Sequence, residues 1–167
     1  METKDKSTNH SEARTILSTP IRIENRPWGF FSLYLQDRVP SATWEASFLL
    51  ELEQAYHPSG ELMQHERGER LTVKVIHVYA KSRLSLQYHH NRTEEWRCLS
   101  GRAYAIIKRA GGFEEVTLEK DSQLVVPPMT IHRLGCREDS ADILEVSKGQ
   151  FDEADIVRLE DDYRVIT

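Results

Sequence analysis

Gln87, His89, Glu94 and His132 are the residues whose types and spacing can do chemistry together. Two imidazoles, one carboxylate and one amide oxygen make a mixed nitrogen and oxygen donor set that suits borderline or hard divalent ions such as Zn²⁺, Mn²⁺, Co²⁺ or Fe²⁺. No thiolate belongs to the set, which favours an open catalytic position over a closed structural zinc site. One divalent metal ion is the expected cofactor, and the donor mixture selects no single metal among these.

Strands must position these groups. Side chains alternate between the faces of a strand, so Ser85, Gln87 and His89 point one way while Leu84, Leu86 and Tyr88 point the other. A turn through Asn91 to Thr93 returns Glu94 beside His89 on the neighbouring strand, where side chains lie roughly 5 to 8 Å apart. Strand parity and the spacing to Gly101 favour Glu94 over its neighbour Glu95 as the ligand. The segment Asp121 to Arg133 delivers His132 from the opposite wall of a closed barrel. From Arg70 onward, short strands recur with turn chemistry between them, near 71–79, 83–90, 94–99, 102–109, 113–118, 123–126, 131–135 and 141–147. Ser100-Gly101, Gly111-Gly112 and Pro127-Pro128 punctuate them.

The first half is less regular. Residues 1–20 carry few apolar side chains and read as a flexible arm, with Ile21 and Ile23 able to add to a sheet edge. An aromatic run from Phe30 to Leu35 reads as the first strand, and Trp44, Phe48, Leu52 and Tyr56 recur every four residues behind Ser41 as in a helix, with a strand over Phe48 to Leu52 the competing reading. Asp152 to Leu159 reads as a second helical stretch. The whole reads as one domain over 21–167, with 37–69 an insertion carrying one short helix.

The chain of 167 residues has a net charge of −5, which argues against a nucleic-acid partner bound through many phosphates. No apolar run is long enough to span a bilayer and no secretory signal is visible, so no membrane association and a cytoplasmic location are expected. Cys98 and Cys136 form no CxxC pair and read as reduced thiols.

Around these residues the sequence resembles the cupin family, whose first motif is Gly, five residues, His-x-His, three or four residues, Glu, six residues, Gly. Gln87 stands in the first His position, His89 in the second, Glu94 follows after four residues and Gly101 after six more. Pro127-x-Met129-x-x-His132 resembles the second motif. The likeness sharpens to the C-terminal cupin domain of type II phosphomannose isomerases, carried by Arg26-Pro27-Trp28-Gly29, Leu84-Ser85-Leu86-Gln87, Arg92-Thr93-Glu94-Glu95-Trp96, His132-Arg133 and Ile156 to Tyr163. Asn91 and Glu95 stand where that branch has histidines, and Arg164 replaces a Gly.

The resemblance implies an all-β cupin, a jelly-roll type β-barrel, and a metal-dependent isomerase of a small phosphorylated sugar, with mannose 6-phosphate and fructose 6-phosphate the first pair to test. Glu145 and His90 are candidates for the base. Lys74, Arg92, Arg133 and Ser85 are candidates for holding the phosphate or developing charge. Lys74 and Glu145 have a plainer reading as a cross-strand pair. The other function classes are a non-catalytic sugar-binding or sensory cupin, an iron-dependent dioxygenase and a metal-free structural module. A homodimer formed through the N-terminal arm is the expected assembly.

Overall fold

The computed structural model describes residues 20–38 and 70–166. The helix expected behind Ser41, Trp44, nearly all of the 1–20 arm and the residues His10, His57 and His65 lie outside the described residues. Within them the strands are β1 (Arg22–Arg26), β2 (Gly29–Arg38), β3 (Leu71–Val78), β4 (Leu86–His89), β5 (Arg92–Arg109), β6 (Gly112–Glu119), β7 (Gln123–Val126), β8 (His132–Gly135), β9 (Ala141–Gly149) and β10 (Ile156–Glu160). A single 3-10 turn, Glu153–Asp155, precedes β10. The strands hydrogen-bond in the order β1-β2-β3-β9-β5-β8-β4-β10, and β6 and β7 also pair with β5. The result is the expected all-β cupin architecture.

One strand runs through both halves of this curled sheet. β5 is 18 residues long; before Gly101 it pairs with β9 and β7, and after it with β6 and β8. The sequence reading places two strands here, separated by a turn at Ser100-Gly101. The structure instead keeps one strand and absorbs the turn residues in a register shift between Cys98 and Ser100. Gly101 has φ of 75°, and a Cβ there would lie 1.9 Å from the carbonyl oxygen of Ser140. Only glycine bends the strand at that point without breaking the ladder.

Inward-facing positions change character along each strand. On β3 they run Val78, Ile76, Lys74; on β9, Ala141, Ile143, Glu145, Ser147; on β5, Cys98, Trp96, Glu94, Arg92; on β8, Leu134, His132. The apolar ends of these runs join Phe31, Leu33, Ala105, Ile107, Leu118 and Val126 in the main core. The polar ends meet beyond it and line the site. Cys98 and Cys136 are free thiols buried in this core. The opposite face of β3 and β9 carries a second buried cluster of Leu35, Leu71, Val73, Leu144 and Val146.

The Asp152 to Leu159 stretch is not a helix. Asp152 caps the 3-10 turn by accepting the Ala154 N–H at 2.9 Å, and the chain then extends as β10. Ile156 and Val157 are β-branched, and β4 offers an open edge with which they pair, Ile156 opposite His89 and Arg158 opposite Gln87. At the other end of the sheet β1 pairs only with β2, and Ile21 and Ile23 there are exposed.

Candidate metal centre

His89 ends β4, Glu94 lies near the start of β5 and His132 opens β8, and all three are almost fully buried. One ligand atom from each lies within 4.8 Å of the others. His89 Nε2 is 2.9 Å from Glu94 Oε1, and His132 Nε2 is 3.4 Å from Glu94 Oε2. The His132 Nδ1–H donates to the Thr130 carbonyl at 2.8 Å, which leaves the Nε2 lone pair aimed at the cluster. Gln87, directly opposite His132 in register, brings its amide to 3.5 Å from His89 Nε2.

Two atoms in this cluster, Glu94 Oε2 and His132 Nε2, are buried without any hydrogen-bond partner. Orphaned polar atoms of this kind are costly unless a ligand satisfies them. Here they converge with a second imidazole and an amide, a set that fits a divalent cation. Burial opposes ionisation of Glu94, yet the His132 and His89 contacts outweigh it and hold the carboxyl well below its usual range. Burial likewise opposes a charge on His132, and the Glu94 contact raises it above the ordinary imidazole value.

Ser85 supports Gln87, its Oγ donating to Gln87 Oε1 at 2.6 Å. A hydroxyl is both donor and acceptor, so it also supports the amide after a half-turn that presents Oε1 to the cluster. Arg92 reaches the same carboxylate, with Nε 3.2 Å from Glu94 Oε1.

Gln87 and Glu94 line a cavity of about 430 Å³ together with Lys74, Ser85, Arg92 and Glu145 among others, and Glu94 joins that cavity to the buried His89 and His132. Glu145 and Lys74 are opposite each other in register and 3.9 Å apart, so the plain cross-strand pairing is present and faces the cavity. Trp96, buried in the core, also donates its indole N–H to Glu145 Oε2 at 3.1 Å. Burial pushes the Glu145 carboxyl up, and the Glu94 charge adds to that, against the opposing pull of Lys74 and Arg92.

Two candidates are not brought to the cavity. His90 is exposed in the turn just past the end of β4, its Nδ1 3.0 Å from Asp155 Oδ1. Arg133 is buried but ties Leu84 and β10 together, donating to the Leu84 carbonyl at 2.9 Å and to the Glu160 carbonyl at 3.1 Å. Strand parity separates Arg133 from the ligand face, and His90 belongs to the turn rather than to β4. The same parity governs the departures from the resembled pattern. Glu95 lies on the reverse face of β5, 2.6 Å from Lys148, and Asn91 is exposed in the β4–β5 turn. His77, also of opposite parity to Lys74, stacks on Phe30 and bonds Asp142 at 2.6 Å.

Arg26, Phe31, Arg158 and Arg164 line the cavity, and sequence reasoning gave none of them a site role. Arg158 was hidden by reading its segment as helical; as a strand opposite Gln87 it takes the inward parity.

The family model described as mannose-6-phosphate isomerase C-terminal matches residues 47–161. Xanthan biosynthesis protein XanB of Xanthomonas campestris pv. campestris is 34% identical over 124 residues, 73% of this chain and 24% of that protein. Alginate biosynthesis protein AlgA of Pseudomonas aeruginosa is 35% identical over 112 residues, 66% of this chain and 22% of that protein. This chain thus spans about a quarter of the length of the curated relatives it matches. Among solved structures, oxalate decarboxylase from Bacillus subtilis superposes with a TM-score of 0.58 at 15% identity, over 83% of this chain and 30% of that one. Capsular polysaccharide assembling protein CapF from Staphylococcus aureus gives 0.56 at 16%, over 86% of this chain and 32% of that one. The solved structures share the fold alone; on the sequence match, the chain belongs to the mannose-6-phosphate isomerase C-terminal family.

Proposed function

We propose that this chain is a metal-dependent isomerase that interconverts an aldose phosphate and a ketose phosphate, with mannose 6-phosphate and fructose 6-phosphate the first pair to test. The observation that carries the reading is a buried His89, Glu94 and His132 cluster whose Glu94 also lines a cavity with Glu145, Lys74 and Arg92. His89, Glu94 and His132, with Gln87, would hold the metal. When bound, such a cation polarises the oxygens on the two reacting carbons and stabilises the charge that develops there.

The remaining steps belong to the protein. Glu145 is the base that takes the proton from C2 of the aldose and returns it to C1, while the O2 hydroxyl proton passes to O1. Its burial raises its basicity toward the range useful near neutral pH. The Trp96 indole N–H fixes one carboxylate oxygen, leaving Glu145 Oε1 with Ser147 Oγ at 3.4 Å and Lys74 on the cavity side. Lys74 and Arg92 supply positive charge inside the cavity, and Arg26, Arg158 and Arg164 add to it around the lining. Asn91 and Glu95, which stand where the resembled branch has histidines, are not among the residues lining this cavity.

A coupled assay on the purified chain loaded with Mn²⁺, Co²⁺ or Zn²⁺ should show interconversion, lost in His89→Ala and retained in His57→Ala. Absence of turnover on any hexose phosphate despite bound metal would reject the reading. Saturable sugar-phosphate binding without turnover would then favour a sensory role.

A further inference from the structure

The chain between β9 and β10 is pinned at both ends to a single turn. Gly149 has φ of 111°, and a Cβ there would lie 2.5 Å from the Asn91 carbonyl oxygen, so the end of β9 is pressed against the β4–β5 turn. At the far end the Asp155 carboxylate accepts the backbone N–H groups of His90 at 3.1 Å and Asn91 at 3.1 Å. That turn connects the metal-ligand positions His89 and Glu94. Between the two anchors stands Phe151, which is 8% exposed in a segment that is otherwise polar.

The ring of Phe151 faces two cations. Lys74 Nζ lies 4.6 Å from its centroid and the Arg92 guanidinium carbon 4.7 Å. Lys74 is 4.9 Å from a second ring, that of Phe31. Both cations are nearly buried, a setting in which attraction to an aromatic face is stronger than at the surface. Arg92 Nη1 is buried with no hydrogen-bond partner, so the guanidinium keeps a donor in reserve.

We propose that Phe151 is a positioning residue: its ring holds Lys74 and Arg92 in the places from which they grip an anionic ligand, and the anchors at Gly149 and Asp155 hold the ring. The inference rests on reading the cavity as a sugar-phosphate site. It adds that the geometry of the two cations is set by an uncharged side chain from the loop after β9. A leucine at this position keeps apolar bulk but offers no π face, whereas tyrosine keeps the face.

The test compares Phe151→Leu and Phe151→Tyr in the full metal-loaded chain, with metal content measured in each. In the ligand-free protein, the side-chain proton resonances of Lys74 and Arg92 should carry ring-current shifts that collapse in the leucine variant and persist in the tyrosine variant. KM for mannose 6-phosphate should rise roughly tenfold in Phe151→Leu with a smaller change in kcat, and Phe151→Tyr should restore it. Wild-type KM in the leucine variant, or equal impairment in both variants with metal retained, would overturn the proposal. If wild type turns over no sugar phosphate, the isomerase reading falls by itself. The Phe151 proposal is then decided by the resonances and by titration with inorganic phosphate, where unchanged shifts and unchanged affinity in Phe151→Leu would sink it.

Discussion

Glu94 Oε2 stands 3.4 Å from Nε2 of His132, and neither atom has a hydrogen-bond partner. A cation placed against both satisfies the two at once. Titration of the chelator-treated chain with Mn²⁺, Co²⁺ or Zn²⁺ should show one site. Glu94→Gln or His132→Ala should weaken it by more than the roughly 10- to 100-fold typical of losing an outer partner. Calorimetry with elemental analysis decides this, and unchanged metal content in either variant would remove the centre.

Ser85 acts on the metal through Gln87. Its hydroxyl is 2.6 Å from Gln87 Oε1, and Ser85→Ala leaves that amide end without its partner. Metal affinity should fall about tenfold with the fold intact. Equal affinities in parallel titrations of the two proteins would show that the amide needs no such support.

Glu145 is separable from the metal site. Glu145→Gln preserves shape and the contact from the Trp96 N–H, which lies 3.1 Å from Oε2, but it removes the base. Turnover should drop by about 100- to 10,000-fold while metal stoichiometry stays at the wild-type value. Steady-state kinetics beside metal analysis tests this, and substantial residual kcat would assign proton transfer elsewhere.

Asp155 gives stability a defined pH dependence. Burial raises its carboxyl pKa, but the N–H groups of Asn91 and His90 and the His90 side chain outweigh it, so the folded-state value is lowered. A lowered carboxylate contributes fully above the unfolded value of about 3.9 and loses that contribution as pH falls through the folded value. Asp155→Ala should cost about 2 kcal/mol at pH 7, or roughly 4 to 8 °C in melting temperature. The gap between variant and wild type should narrow below about pH 3.9. A gap of constant size across that range would show that the charge contributes nothing.

Alternation with period two was enough to bring Gln87, His89 and Glu94 to one face, and it also separates Glu94 from Glu95. It did not reveal the long β5, because Ser100-Gly101 carries turn chemistry whether the chain reverses or merely bends, and only the Ser140 carbonyl pressed against Gly101 distinguishes the two. Arg158 escaped notice for a related reason. A short run of mixed polarity fits a helix or a strand, and the open edge of β4, far away in sequence, selects the strand. His90 and Arg133 are candidates by strand placement and by the resemblance, but His90 binds Asp155 and Arg133 binds the Leu84 carbonyl, away from the ligands beside them.

The unbroken course of β5 ties the chemistry to the folding of the domain. Glu94 sits on the same ribbon as Ala105 and Ile107, so cation binding at one end restrains segments that interlock hydrophobic side chains at the other. Loading the site should therefore raise resistance to heat across the entire barrel, in a single cooperative transition rather than by stiffening a local loop. Severing the chain near Gly101 would cost both halves at once, since neither retains a complete set of neighbours.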